Sequence, residues 1–107
     1  MANMMQMMQK AQKFKQQMEA MQQRVQAMEL DGASGGGLVT CKVTGKFELR
    51  SIKISPSLIN AEEADVLEDL IVAAINDARL KAEKTMADET EKLMRDMGLP
   101  PGMGLPF

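Results

Sequence analysis

A chain of 107 residues has room for one small domain, and this one carries twelve Met but only three aromatic residues, all of them Phe. Methionine fills gaps adaptably but specifies a unique interior poorly, which argues against a large monomeric core. The formal charge is −2, with no His and a single Cys, so the sequence offers no internal disulfide, no zinc-ligand pair and no nucleophile-and-base constellation.

No apolar run reaches membrane-spanning length, and the N-terminus lacks the basic-then-apolar order of a signal peptide. The expectation is a soluble intracellular protein that is not an enzyme, with no cofactor, no metal, no membrane contact and no small-molecule substrate.

In chain order, residues 3–30 read as one long helix, free of Gly and Pro and rich in good helix formers. Met4, Ala11, Met18 and Val25 fall at one seam position of a heptad. Met7, Phe14, Met21 and Met28 fall at the other. Such a helix, roughly 40 Å long, gains little unless the stripe is buried. A two-stranded seam and a helix lying on the protein's own sheet are equally compatible with the pattern. Four glycines in Gly32–Gly37 then suit a helix C-cap and a flexible connection. They lack a Gly-Lys-Ser/Thr ending and precede a strand, which argues against a phosphate loop.

Residues 38–54 read as a hairpin about the two-residue turn Gly45-Lys46. With Thr44 opposite Phe47, Val43 lies opposite Glu48 and Val39 opposite Ile52. Val39, Cys41, Val43, Ile52 and Ile54 then share the inner face. Leu38, Thr40, Lys42, Phe47, Leu49, Ser51 and Lys53 take the other. A lone hairpin is marginal in water, and its edges invite pairing; the expectation is a partner chain, with those five residues and Met18 and Met21 as core or dimer interface. Ser55-Pro56-Ser57 ends the second strand. Asn60 and Glu63 open a second helix over 61–97 in capping-box fashion, and Glu62, Glu63 and Asp65 suit its positive end. Its apolar stripe is strong from Leu67 to Ala78 and thins beyond, as in an arm leaving the body. Gly98 and Pro100 stop it, leaving a Pro/Gly-rich tail, 99–107, outside the single domain 1–98.

The ordered set Gly36-Gly37-Leu38-Val39, Val43 and Gly45, then Ile52-x-Ile54-x-Pro56-x-Leu58, then Leu67 through Ala78 resembles the YbaB/EbfC family of small bacterial nucleoid-associated proteins. The match is close over about 35–80 and is strengthened by the Leu-Pro-Pro-Gly…Pro-Phe ending. The resemblance implies an α+β chain forming a tweezer-like homodimer with a shared sheet, its helices able to straddle double-stranded DNA. It also implies a cytoplasmic, nucleoid-associated location and no catalysis. Cys41 departs from the aliphatic residue usual there, and Phe47 is bulky for its turn.

Charge placement names the residues for such binding, because DNA is held mainly through phosphate neutralisation. Residues 1–30 hold four basic and two acidic side chains; residues 38–54 hold four basic and one acidic; residues 55–78 hold six acidic and none basic. On helix one, Lys10, Lys13 and Arg24 lie within roughly 60° of each other at 100° per residue. Glu19 is opposite, so local neutralisation is not expected. Lys81, Lys84, Lys92 and Arg95 form a second set on one face of helix two, with Lys81 and Lys84 as the further DNA-binding candidates, but Asp77 and Asp88 lie among them and point to a surface charge lattice. The hairpin's Lys42, Lys46, Arg50 and Lys53 read first as edge protection. The competing function is a dimeric scaffold that binds another protein through the Met-rich helix or the Pro-Phe tail.

Overall fold

A computed structural model describes residues 4–98. Its order is α1 (Met4–Ala27), β1 (Glu29–Ser34), β2 (Val39–Thr44), β3 (Leu49–Ile54) and α2 (Ala64–Asp96), with 3-10 turns at Gly35–Gly37, Pro56–Leu58 and Ala61–Glu63. The three strands form one antiparallel sheet in the order β1-β2-β3. The α+β class is as expected, but the sheet has one strand more than the sequence suggested. The tail 99–107 lies outside the described residues.

The extra strand corrects two expectations. α1 stops at Ala27 instead of residue 30, and Glu29–Ser34 pairs with β2, from Glu29 opposite Thr44 to Ser34 opposite Val39. Asp31 and Gly32 are poor helix formers, but the decisive reason is tertiary. A Cβ at Gly32 would collide with the Ala74 carbonyl oxygen and stand 2.8 Å from the Ala78 Cβ. Gly32 is therefore a contact point for α2, not a flexible break. The turn proper is Gly35–Gly37, where all three residues take positive φ, +59°, +67° and +95°, which costs glycine nothing.

The hairpin turn is also one residue longer than expected. Thr44 N–H donates to Glu48 O at 2.8 Å and Phe47 N–H to Thr44 O at 2.9 Å. Phe47 sits at φ +67°: a tight turn followed by a left-handed residue, the usual three-residue hairpin loop. A bulge between Lys42 and Val43 adds a second one-residue step, so Val39 faces Ile54, Cys41 faces Ile52 and Val43 faces Leu49. Two single steps restore the parity. Val39, Cys41, Ile52 and Ile54 keep a common face, although each has a different neighbour from the one expected. Because Phe47 is half exposed and pays for a left-handed backbone, Phe47→Gly should stabilise the fold by about 0.5–1 kcal/mol, read as a higher urea midpoint at unchanged slope.

α2 lies across β1 and β2 and leaves β3 bare. The alanines Ala74, Ala78 and Ala82, one turn apart and fully buried, let the helix approach closely. Val39, Cys41 and Val43 pack on Ala74 and Ala78, with Leu58, Leu67, Leu70, Ile71 and Ile75 around them. Burying each valine contributes about 2 kcal/mol. Ile54 is only half buried and Ile52 is 37 % exposed, so within one chain Ile52 is not core. Cys41 is buried and its thiol donates to Ala74 O at 3.3 Å.

The Met stripe of α1 finds its partner in the same chain, though not on the sheet. Met18, Met21 and Val25 are buried with Phe14 and Met28 against Met86 and Leu93 of α2. α1 runs antiparallel to the C-terminal half of α2, as Arg24 meets Glu89 while Lys13 shares a groove with Asp96. The helix pair extends the molecule to 73 × 22 × 18 Å. At the start of α2, Asn60 Oδ1 accepts the Glu62 N–H at 3.0 Å, a cap that reaches Glu62 through a 3-10 turn.

Candidate nucleic-acid interface

Because the described part of α1 carries four cations against one anion, its surface is where an acidic protein can present positive charge. Among the described residues, Lys10, Lys13 and Lys15 have no ion-pair partner. Arg24 does have one, contrary to the sequence argument: its Nη2 lies 2.9 Å from Glu89 Oε2 on α2. One-dimensional helical geometry placed Glu19 correctly away from Arg24 but had no means of placing α2 beside it. Of the second set, Lys84 pairs with Asp88 at 3.1 Å and Lys81 with Asp77 at 3.3 Å, which is the charge lattice expected.

The α1–α2 seam opens into a groove of about 560 Å³ whose polar lining includes Lys13, Gln17, Arg24, Glu89, Lys92 and Asp96. Lys92 makes no ion pair among the described residues, although it stands near enough to Glu89 to help lower that carboxyl's pKa, so two lysines without an ion pair, one per helix, line the groove. Sequence reasoning grouped Lys92 with the lattice of α2. The signal that separates it is its place beside α1, which only the packing reveals.

On the sheet face away from α2, Lys42 and Lys53 stand with Thr40 and Ser51 around a hollow of about 340 Å³. Neither lysine has an ion-pair partner among the described residues, whereas Lys46 and Arg50 share Glu48 at 3.7 and 3.6 Å.

The two sheet edges differ. At β1 the Ala33 N–H donates to Asp77 Oδ2 at 3.1 Å and the Asp31 carbonyl accepts from Lys81 Nζ at 2.9 Å. That edge is closed by α2. At β3, no described group pairs with the outer edge, and Leu49 and Ile52 are exposed.

Known proteins share this architecture. The family model described as the YbaB/EbfC DNA-binding family matches residues 1–97. The chain belongs to the YbaB/EbfC DNA-binding family. Within it, the chain is 49 % identical over 104 residues to a nucleoid-associated protein of Nitrobacter winogradskyi, covering 97 % of this chain and 98 % of that one. It is 48 % identical over 107 residues to a nucleoid-associated protein of Brucella anthropi, covering all of both. A crystal structure of an uncharacterized protein from Helicobacter pylori superposes with a TM-score of 0.73 at 19 % identity, over 88 % of this chain and 99 % of that one. That likeness is one of fold.

For this YbaB/EbfC chain, the two inter-element carboxylates are the pH-sensitive contacts. The Ala33 N–H, followed by Lys81, holds the Asp77 carboxyl below its ordinary value of 3.8. Arg24 does the same for Glu89, ordinarily 4.5. A carboxyl whose folded pKa is depressed adds stability above its unfolded pKa and loses it as pH falls through the folded one. Acidification from about pH 5 to below about 4 should therefore lower the urea midpoint, and Glu89→Gln with Asp77→Asn should flatten that dependence. Burial pushes the Cys41 thiol up, which keeps it protonated and inert.

Proposed function

We propose that this protein is a cytoplasmic, nucleoid-associated DNA-binding protein that acts as a homodimer and holds duplex DNA through phosphate contacts with little sequence preference. The observation that carries the reading is the set of lysines on the helix pair that make no ion pair among the described residues, Lys10, Lys13, Lys15 and Lys92, in a chain whose total charge is negative. In such a chain, cations escape pairing on few surfaces, and those surfaces attract a polyanion. Membership of the YbaB/EbfC DNA-binding family and relatives named nucleoid-associated proteins support the same reading. Lys10 and Lys13 are the principal contacts. Lys92 adds to them across the groove, and Arg24, Lys81 and Lys84 contribute less because each already has a carboxylate.

The dimer is supported by the open β3 edge, where backbone groups without a partner among the described residues adjoin the exposed side chains Leu49 and Ile52. Pairing β3 with its copy would join two three-stranded sheets and give Ile52 the cover it lacks. Ile52→Asp should then yield a monomer by light scattering at micromolar concentration, at unchanged helical circular dichroism, since Ile52 is not core within one chain. A wild-type protein that is already monomeric would remove the dimer from this reading.

The test of the function is a gel shift with unrelated duplexes across salt concentrations. Comparable affinities on every sequence, falling steeply with salt, support phosphate contacts. No binding at low salt would leave the scaffold reading, which the exposed Met4, Met5, Met7 and Met8 favour.

A further inference from the structure

β1 and β3 are the two outer strands of one sheet, and α2 treats them differently. On the side of β1 away from β2, the Ala33 N–H donates to Asp77 Oδ2 at 3.1 Å and the Asp31 carbonyl accepts from Lys81 Nζ at 2.9 Å. Asp77 and Lys81 stand one helical turn apart and pair with each other at 3.3 Å. The Asp77 carboxyl is held below its ordinary value chiefly by that Ala33 N–H, so the contact binds the ionised form. The residues beside these two fix α2 at the right height. Gly32 sits under Ala74 and Ala78, where a Cβ would collide, and the Ser34 hydroxyl donates to the Leu70 carbonyl. Asp31, Gly32, Ala33 and Ser34 in succession are thus bound to α2. At β3, no described group pairs with the outer edge.

A strand added outside β1 would have to take the Ala33 N–H and the Asp31 carbonyl, offering one acceptor and one donor. Asp77 and Lys81 already supply both. We propose that the Asp77–Lys81 pair is a side-chain substitute for a fourth strand, and that it confines pairing of the sheet with a second copy of this chain to the β3 edge. One open edge per chain gives an isologous pair that closes on itself, whereas two give a head-to-tail stack with no natural end. Charged side chains commonly blunt an edge; here they do so by bonding the edge backbone itself. The limit on growth rests on the β3 pairing proposed above, while the closure of β1 does not.

The experiment compares the full chain with Asp77→Ala/Lys81→Ala, by amide exchange at Ala33 and by light scattering over a concentration series. Loss of a hydrogen bond to a charged group should speed Ala33 exchange by about tenfold or more. The mass should then exceed that of the parent and rise with concentration. Adding Ile52→Asp should hold the growth to pairs formed through β1. Two comparisons separate edge opening from a general loss of helix charge. Lys84→Ala with Asp88→Ala removes an ion pair of α2 that touches no strand, and Asp77→Asn with Lys81→Arg keeps an acceptor and a donor; both should keep the parent's size. Asp77→Ala alone, which releases only the Ala33 N–H, carries the same test should the double variant fold poorly. Faster exchange at Ala33 without growth would overturn the proposal, as would unchanged exchange or equal growth in the Lys84/Asp88 variant. A monomeric parent would remove the β3 pairing alone, because the Asp77/Lys81 variant should still gain mass through β1.

Discussion

Lys10→Ala combined with Lys13→Ala is expected to weaken duplex DNA binding by up to on the order of 10³-fold at about 0.1 M salt, while the fold and the oligomeric state stay those of the parent protein. Counterion release sets the size of the effect. Each phosphate contact adds about 0.9 to the slope of log affinity against log salt, which near 0.1 M is roughly a tenfold effect per contact. The proposed homodimer would present the two lysines twice, so up to about four contacts are removed and the slope should fall by as much as about 3.6. Both residues are exposed and make no ion pair among the described residues, so their loss disturbs no contact that holds the helices together. The loss should be similar on unrelated sequences, as backbone contacts require. Lys81→Ala with Lys84→Ala should cost far less, since Asp77 and Asp88 already offset those charges. Arg24→Ala is unsuitable as a test of DNA contact, because it would also unpair Glu89 and loosen α1 from α2. Titrations over a series of salt concentrations decide the matter. An unchanged slope in the Lys10/Lys13 variant would move the contact elsewhere, with Lys92 and the Lys42–Lys53 face as the next surfaces to alter.

Gly32→Ala is expected to destabilise the fold by about 3 kcal/mol, at the upper end of what overpacking costs. The added methyl would meet the Ala74 carbonyl oxygen, the Ala78 amide nitrogen and the Ala78 Cβ, two of which are helix backbone. A flexible side chain swings aside cheaply; a helix backbone does not. α2 would have to lift from β1, and with it would go the Cys41 contact to Ala74 and the clamp of Asp77 and Lys81 on the β1 edge. Urea denaturation followed by circular dichroism measures the loss. A variant as stable as the parent would mean that α2 sits further from β1 than the structure has it. Gly36→Ala provides the comparison, as nothing lies within 4 Å of its Cβ position and only the turn's positive φ is at stake.

The same glycine shows how far a sequence can be read. Long-period patterns were legible: the Met heptads specified a helix over most of α1, the Leu67–Ala78 stripe marked the buried face of α2, and alternation about Gly45 determined which side chains of β2 face inward. These features depend on residues near one another in the chain, where spacing alone determines direction. The polar candidates on α1 were legible for the same reason, since Lys10 and Lys13 need only helical geometry to share a flank.

The features that the sequence left undecided depend on which element lies against which. Asp31-Gly32 reads locally as a break, and becomes a strand because β2 offers hydrogen bonds and α2 needs a residue without a side chain there. Arg24 reads as unneutralised until α2 brings Glu89 to it. Lys92 reads as one of a lattice until α1 places it across a groove from Lys13. Ile52 reads as core because its face is buried at Cys41, yet α2 is too narrow to cover a third strand. Local spacing was enough for the helices, the hairpin, the family resemblance and the shared flank of Lys10 and Lys13. Contacts between distant elements set the third strand, the neutralisation of Arg24, the closed and open sheet edges and the end of the Met stripe that α2 does not reach. The physical reason is one of range: periodicity carries the orientation of a side chain about its own element, whereas charge pairing and close packing are settled by residues far away along the chain, as with Arg24 and Glu89.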